Sequence, residues 1–220
     1  MDALIQPKTL VEQAYDAILD AICDGTLAPG ERLAQDDVAK KLNVSRQPIT
    51  SALTMLKSQG FVREAGRRGV VVAPLDERLF EDIYQFRSAV EPLAVTLAVP
   101  NLTSDDVERG RALIGHGSKV AVLNDSRALI EADMDFHSLI YGLSGNKLIL
   151  ETMRLNWQHL RRTMGEVLRI PDFSEKVWAE HAAIFEAMVS GEEEIASDLM
   201  RDHIRTAYQK VKPLLALRGP

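Results

Sequence analysis

The chain has 220 residues, enough for one or two domains, and 46% of them are hydrophobic, enough to fill a core. There is no apolar run of about 18 residues and no signal-peptide pattern at the start, so we expect no membrane span. The single cysteine excludes an intrachain disulfide and fits a reducing, cytoplasmic location. The net charge of −6 excludes a protein that is basic throughout.

Positive charge is concentrated between residues 32 and 75, which hold eight basic and three acidic residues. Because the whole chain is negative, the remainder must be strongly acidic. A basic lobe on an acidic body is typical of a local nucleic-acid contact surface.

The first helix is predicted to begin at a capping box, Thr9-x-x-Glu12, and to end near Gly25. A turn at residues 29–30 separates it from a second helix over 35–42. Both helices carry apolar residues at helical spacing.

The next corner is very tight. Asn43 tolerates the left-handed conformation that a chain reversal needs, Ser45 is a good N-cap, and Pro48 fits the first turn of a helix. The buried face of that third helix is then Ile49, Ala52, Leu53 and Leu56. This is a helix-turn-helix pattern, in which the start of the second helix meets base edges in the major groove of DNA.

The outward residues of this third helix are Arg46, Gln47, Thr50, Ser51 and Thr54, and an acid among them would repel phosphate. After Gly60, two β-prone stretches flank the tip "GRRG" (66–69), which predicts a hairpin wing with Arg67 and Arg68 placed for DNA contact. A small helical domain with solvated basic residues is the alternative interpretation.

Residues 9–75 resemble the winged helix of the GntR superfamily of bacterial transcription regulators. The matching stretches are "GTLAPGERL" (25–33), "DDVAKKLNVSRQPITSAL" (36–53), "LKSQGFV" (56–62) and "GRRGVVVA" (66–73). With the resemblance, the expected DNA-contacting set is Arg32, Ser45, Arg46, Gln47, Thr50, Arg67, Arg68 and Gly69. The family usually has arginine and glutamate where Thr50 and Ser51 stand, so its usual operator half-site is not expected here.

Beyond a linker at residues 73–77, six segments show helical patterns and none shows strand alternation. They lie at about 77–99, 103–123, 126–143, 146–169, 173–190 and 192–213. We therefore predict a mainly α protein: a winged helix-turn-helix domain over 1–75 and an all-α helical bundle over 76–220.

Four potential metal ligands occupy apolar faces of the predicted bundle: Asp133, His137, His181 and His203. Each histidine alone is more often a satisfied core or surface residue, because a buried polar group needs a partner. As a set, three imidazoles and one carboxylate suit one divalent ion, with zinc first and nickel, manganese or iron as alternatives.

Residues 78–213 resemble the FCD ligand-binding domain, which follows the winged helix in the largest GntR branch. The resemblance rests on "YQFRSAVEPLAVTLA" (84–98), "ADMDFHSLIYGLSGN" (132–146) and "EHAAIFEAMVSGEEEIASDLMRDH" (180–203). It implies that Asp133 and the three histidines bind metal. It also implies that Arg87 holds a carboxylate effector, whereas Arg87 and Glu91 at i, i+4 could simply form a helix-surface ion pair. Arg161 is the second effector-binding candidate, although the pattern does not separate it from Arg162.

These features favour a ligand-responsive transcription regulator, a repressor by family precedent, that binds a palindromic operator as a homodimer and senses a small organic acid beside a metal. Two alternatives stay open: a metal-dependent hydrolase, for which no general-base motif is visible, and a regulator whose metal is purely structural.

Overall fold

The computed structural model describes residues 7–66, 69–123, 125–167 and 173–216. Within these ranges there are nine α-helices and three short strands, which confirms the predicted mainly α fold. The chain divides into two compact units, one up to Leu75 and one from Asp76 onward, and each is described by itself. No helix in the described ranges is long and apolar enough to cross a membrane.

The first unit is a helix-turn-helix with a small sheet. Its elements are α1 (Leu10–Cys23), β1 (Arg32–Leu33), α2 (Gln35–Leu42), α3 (Arg46–Ser58), β2 (Val62–Glu64) and β3 (Val70–Val72). The sheet is antiparallel with strand order β1-β3-β2. The β2–β3 hairpin is the predicted wing. Strand β1 was not predicted, because two residues carry no alternation signal and Arg32 finds its partner, Val71, only through the tertiary fold.

Local chemistry sets the helix boundaries of this unit. The capping box is present: Glu12 N–H donates to Thr9 Oγ1 at 3.2 Å, and Thr9 N–H donates to Glu12 Oε2 at 2.7 Å. At the corner between α2 and α3, Asn43 adopts the left-handed conformation with φ 53°. Ser45 occupies the N-cap of α3, but its side chain forms no capping hydrogen bond. The corner is thus set by backbone conformation and by the apolar face of α3, which is fully buried.

The second unit contains the remaining six helices. They are α4 (Glu77–Ala98), α5 (Ser104–Leu123), α6 (Ser126–Leu143), α7 (Lys147–Val167), α8 (Phe173–Val189) and α9 (Glu193–Ala216), with a 3₁₀ turn at Val99–Asn101. Each begins within one residue of its predicted start. Helix α4 packs against α6, α7 and α9, and α8 packs between α5 and α9. This arrangement brings the inner faces of α4, α6, α8 and α9 together.

Two glycines let α5 approach α8 closely. A Cβ atom on Gly110 would lie 2.0 Å from the ring of Phe185, and one on Gly117 would lie 2.1 Å from the ring of Trp178. No real Cβ contact is that short, so only glycine permits the observed ring positions. The close approach fixes Trp178, whose ring forms part of the interior described below.

Candidate functional site

The surface at the start of α3 has the composition expected of a DNA reader. Arg46, Gln47 and Thr50 are exposed and lie in the first two turns. Arg46 Nε donates to Gln35 Oε1 at 2.9 Å, and Thr50 Oγ1 lies 3.2 Å from the same oxygen. No acid occurs in the first turn of α3. The N-terminal end of this helix therefore presents donors and hydroxyls rather than negative charge.

The wing brings Arg32 beside its tip. A Cβ atom on Gly69 would lie 3.0 Å from Arg32 Nε, so the guanidinium passes directly over the glycine backbone. Arg32 itself belongs to strand β1, which pairs with β3 of the wing. The predicted contacts Arg67 and Arg68 lie outside the described residues. Of the predicted DNA-contacting set, the described members fall into two groups, one at the start of α3 and one beside the tip of the wing.

The predicted metal ligands meet inside the second unit. Asp133 and His137 are one turn apart on α6, His181 lies on α8, and His203 lies on α9. All four residues are buried. Ring nitrogens of the three histidines all lie within 4.8 Å of one another. Helix α6 and the consecutive pair α8 and α9 therefore deliver their polar side chains to one point.

The individual separations fit a shared ion. His181 Nε2 lies 3.2 Å from His203 Nε2 and 3.4 Å from Asp133 Oδ1, and His137 Nε2 lies 4.0 Å from that oxygen. Two donor atoms bound about 2.0–2.2 Å from one zinc ion lie roughly 3–4 Å apart. His137 Nε2 is buried and has no hydrogen-bond partner among the described residues. A cation is the group that satisfies such converging lone pairs, so the residues present fit a divalent metal.

Two carboxylates stand behind the histidines. Glu180 Oε2 lies 2.9 Å from His203 Nδ1. Glu91 Oε2 lies 2.7 Å from His137 Nδ1, a close contact whose alignment falls short of a full hydrogen bond. A carboxylate at Nδ1 keeps the imidazole proton there, so Nε2 turns its lone pair toward the cluster. Neither glutamate was predicted to have this role. For Glu180 its place next to His181 was a signal, and for Glu91 there was none beyond its spacing from Arg87.

The pair of Arg87 and Glu91 is interior. Arg87 is 4% exposed and Glu91 is fully buried, and the Arg87 Nε donates to Glu91 Oε1. The surface ion-pair interpretation is therefore wrong. The guanidinium also lies 5.1 Å from the ring centroids of Tyr84 and Trp157, a cation–π arrangement on both sides.

Electrostatics keep this pair charged. Burial alone would raise the pKa of Glu91, but the charge of Arg87 and the contact with His137 outweigh burial and hold that pKa below its ordinary value. Burial also raises the pKa of Tyr84 to about 12. Glu91 is thus a permanent carboxylate linking Arg87 to His137.

The surroundings of His181 favour its neutral form. Burial, and next the proximity of His203 and His137, hold the pKa of His181 well below its ordinary value of 6.5. A neutral imidazole is the form that binds a metal.

A small cavity of about 40 Å³ adjoins the cluster. Its lining includes Arg87, Asp133 and His203, together with apolar and aromatic side chains such as Trp178. Arg161 is not among the described residues that line it, and its Nη1 donates instead to Gln158 Oε1 at 2.9 Å. One of the two predicted effector-binding arginines therefore reaches the cavity and the other lies on α7 outside it.

Comparison with known proteins gives the same division of the chain. The family of bacterial regulatory proteins called gntR matches residues 10–72, and the FCD domain matches residues 82–206. An HTH-type transcriptional regulator from an unstable DNA locus of Streptomyces ambofaciens is 30% identical over 193 residues, covering 86% of this chain and 80% of that protein. The regulator YdhC of Bacillus subtilis (strain 168) is 25% identical over 96% of this chain and 95% of its own length.

A solved structure shares the fold. Escherichia coli McbR/YncC superposes with a TM-score of 0.81 over 96% of this chain and 99% of that one, at 21% identity. The relatives that match along most of the chain are transcription regulators, not enzymes. With a winged helix-turn-helix in the first unit and a helical effector-binding domain in the second, the chain belongs to the GntR family of bacterial transcription regulators, in the branch that carries an FCD domain.

Proposed function

We propose that this protein is a homodimeric repressor that binds a palindromic operator and responds to a small organic acid at a metal-containing pocket. The observation that carries the proposal is the convergence of His137, His181, His203 and Asp133 beside a cavity that Arg87 also lines. The DNA-facing half of the proposal is supported by the exposed side chains at the start of α3 and by the family.

The four converging side chains would hold the ion, with Glu91 and Glu180 orienting two of the histidines. Three nitrogens and one oxygen favour zinc, with nickel, manganese or iron as alternatives. When bound, the ion supplies a positive, electron-accepting site for an oxygen ligand. Without such a charge, the carboxylate of Asp133 in the cavity wall would repel an anionic effector.

The effector is proposed to be a small carboxylate because of the cavity's size and charge. A volume of about 40 Å³ holds only a few water-sized groups, so a large ligand does not fit without rearrangement. Arg87 is a planar fork already fixed by Glu91 and two aromatic rings, and such a fork matches a carboxylate better than an ammonium does. Arg161 enters this proposal only through the family resemblance.

Dimerisation is supported by exposed apolar side chains on two neighbouring helices. On α4, Phe86 and Leu93 are 38% and 47% exposed two turns apart. On α7, which packs on α4, Leu148 and Leu155 are 72% and 38% exposed two turns apart. Stripes of this kind on adjacent helices suit a self-complementary two-fold interface. Two identical readers then require two half-sites, with a spacing set by the dimer.

Regulation requires that the effector bind one conformation of the dimer better than the other. A ligand with equal affinity for both shifts neither population, however tightly it binds. We therefore expect the effector to lower operator affinity only if its contacts with the metal and Arg87 are stronger in the conformation that does not bind the operator.

The test combines native mass spectrometry with DNA binding by the full-length protein. Mass spectrometry of freshly purified protein should give a dimer with one divalent ion per chain. Duplexes selected from a random pool should bind, and a panel of mono-, di- and tricarboxylates should include a member that releases them only from the metal-loaded form. A monomer would contradict the proposed homodimer, and chains without bound metal would contradict the proposed metal site.

A purely structural metal is the second candidate, because the donors are deeply buried. It predicts full metal occupancy and no rise in melting temperature with any carboxylate in the panel, since a ligand that binds only the native state must raise it.

A further inference from the structure

A single amide joins the two helices of the DNA-reading surface. Gln35 is the first residue of α2 and is half-buried. Its Oε1 atom is 2.9 Å from Arg46 Nε and 3.2 Å from Thr50 Oγ1, on successive turns of α3. Both partners are exposed and point from the helix end that meets DNA. Through Gln35, α2 therefore restrains two outward side chains of α3, those of Arg46 and Thr50.

The chemistry of these groups determines which way the amide points. An arginine Nε can only donate, so the atom that faces it must be the oxygen of Gln35, and the amide nitrogen must point away. The Thr50 hydroxyl has one hydrogen and two acceptors in reach, Gln35 Oε1 and the Arg46 carbonyl at 3.1 Å. Its lone pairs therefore remain available as acceptors whichever bond it makes.

The contact with Gln35 leaves the terminal Nη groups of Arg46 available to bind DNA. Because Nε is engaged by Gln35, the two terminal Nη groups are the donors that remain for a base or phosphate. The Asp36 Oδ1 atom is 3.7 Å from Nη1, but both side chains are more than 60% exposed, so this pair is weak and yields readily to DNA. An arginine held at Nε loses less side-chain freedom on binding than one that swings freely.

This restraint matters more here because α3 contains a single arginine. Recognition of guanine by a guanidinium in this helix depends on Arg46 alone, since Thr50 offers a hydroxyl and a methyl group. We propose that Gln35 is a positioning residue that determines which base pair Arg46 reads. The inference rests on the proposed operator binding and adds a residue that does not itself need to touch DNA.

The experiment is selection from a pool of randomised duplex DNA with full-length protein, followed by affinity measurements on the selected site. The base pair read by Arg46 is identified as the one whose preference disappears in Arg46→Ala. Gln35→Ala should reduce the preference at that same base pair by about 5–10-fold, at the lower end of what one good base contact supplies. Circular dichroism should show an unchanged fold.

Three further variants separate positioning from a general loss of polar contacts. Gln35→Glu keeps an oxygen facing Arg46, so it should retain the preference while lowering affinity for every sequence, because it adds a negative charge near phosphate. Gln47→Ala, the same residue type on the same surface, should leave the preference at the Arg46 base pair unchanged. In Arg46→Ala, adding Gln35→Ala should cause no further loss of affinity for the selected duplex.

Full preference in Gln35→Ala, or additive losses of affinity for the selected duplex in the double variant, would overturn the positioning role while leaving operator binding intact. If the wild-type protein selects no sequence at all, the proposed operator binding fails, and the role of Gln35 fails with it.

Discussion

The substitution Glu91→Gln tests how the interior of the second unit holds a metal. It keeps the size of the side chain but replaces one carboxylate oxygen by an amide nitrogen. Arg87 donates to one oxygen of Glu91, and His137 Nδ1 lies 2.7 Å from the other. Because Arg87 can only donate, the amide oxygen must face Arg87 and the amide nitrogen must face His137.

This orientation changes the tautomer of His137. Its Nδ1 must accept from the amide, so the ring proton moves to Nε2, the atom that faces the cluster, and a protonated Nε2 cannot bind a metal. The reverse amide orientation would set donor against donor at buried Arg87. Either outcome should weaken zinc binding by about 10–100-fold, or about 1.4–2.7 kcal/mol.

Glu180→Gln is the matched control. It makes the same chemical change behind His203, but Glu180 is 27% exposed and no arginine in the described part of the chain pairs with it, so its amide can rotate and keep an oxygen at Nδ1. We expect a smaller loss of zinc affinity than for Glu91→Gln. The assay is competition for zinc against a chelator of known affinity, with circular dichroism to verify folding. Equal zinc affinity in wild type and Glu91→Gln, or a larger loss in Glu180→Gln, would show that Glu91 does not set the tautomer of His137.

Three other predictions concern packing, pH and DNA. In urea unfolding, Gly117→Ala should lower the free energy of unfolding by about 1–3 kcal/mol, because its Cβ would lie 2.1 Å from Trp178. The control Gly115→Ala lies on the same helix and its Cβ meets no atom within 4 Å. It should raise the free energy of unfolding by up to about 1 kcal/mol. In urea unfolding, the free energy of unfolding of the metal-free protein should fall by about 1.4 kcal/mol for each pH unit below pH 6.5. The reason is that His181 has a lowered pKa in the folded state, so the unfolded chain binds the proton first. The same slope in His181→Gln would contradict this. Arg46→Ala should weaken binding to a selected duplex by about 1–3 kcal/mol, and an unchanged footprint would remove Arg46 from the base-reading set.

The residues of the candidate site could be predicted where the position of a residue on its own helix shows that its side chain faces the interior. Asp133 and His137 occupy slots in an apolar stripe, so their spacing alone indicated that they face the interior, and both are buried. His181 and His203 were assigned in the same way. A buried polar residue must be satisfied, and this requirement turned four separate helix-face assignments into one predicted cluster.

The partners of those residues were not predictable. Glu91 and Arg87 have the spacing of an ordinary surface pair, and only the packing of α4 against α6 shows that their helix face is interior. The link between Gln35 and α3 has a related cause. It depends on the angle between two short helices, which the residue pattern of either helix does not contain.

The helices, the tight corner at Asn43, the wing hairpin and the four candidate ligands could be predicted from local sequence, because periodicity, capping and turn chemistry act within a few residues. Three features depend on how the helices pack: Glu91 lies behind His137, Gly117 admits the ring of Trp178, and Arg87 but not Arg161 lines the cavity. These are distances between side chains on different helices, and they are set by how the helices pack rather than by the residues that form each one.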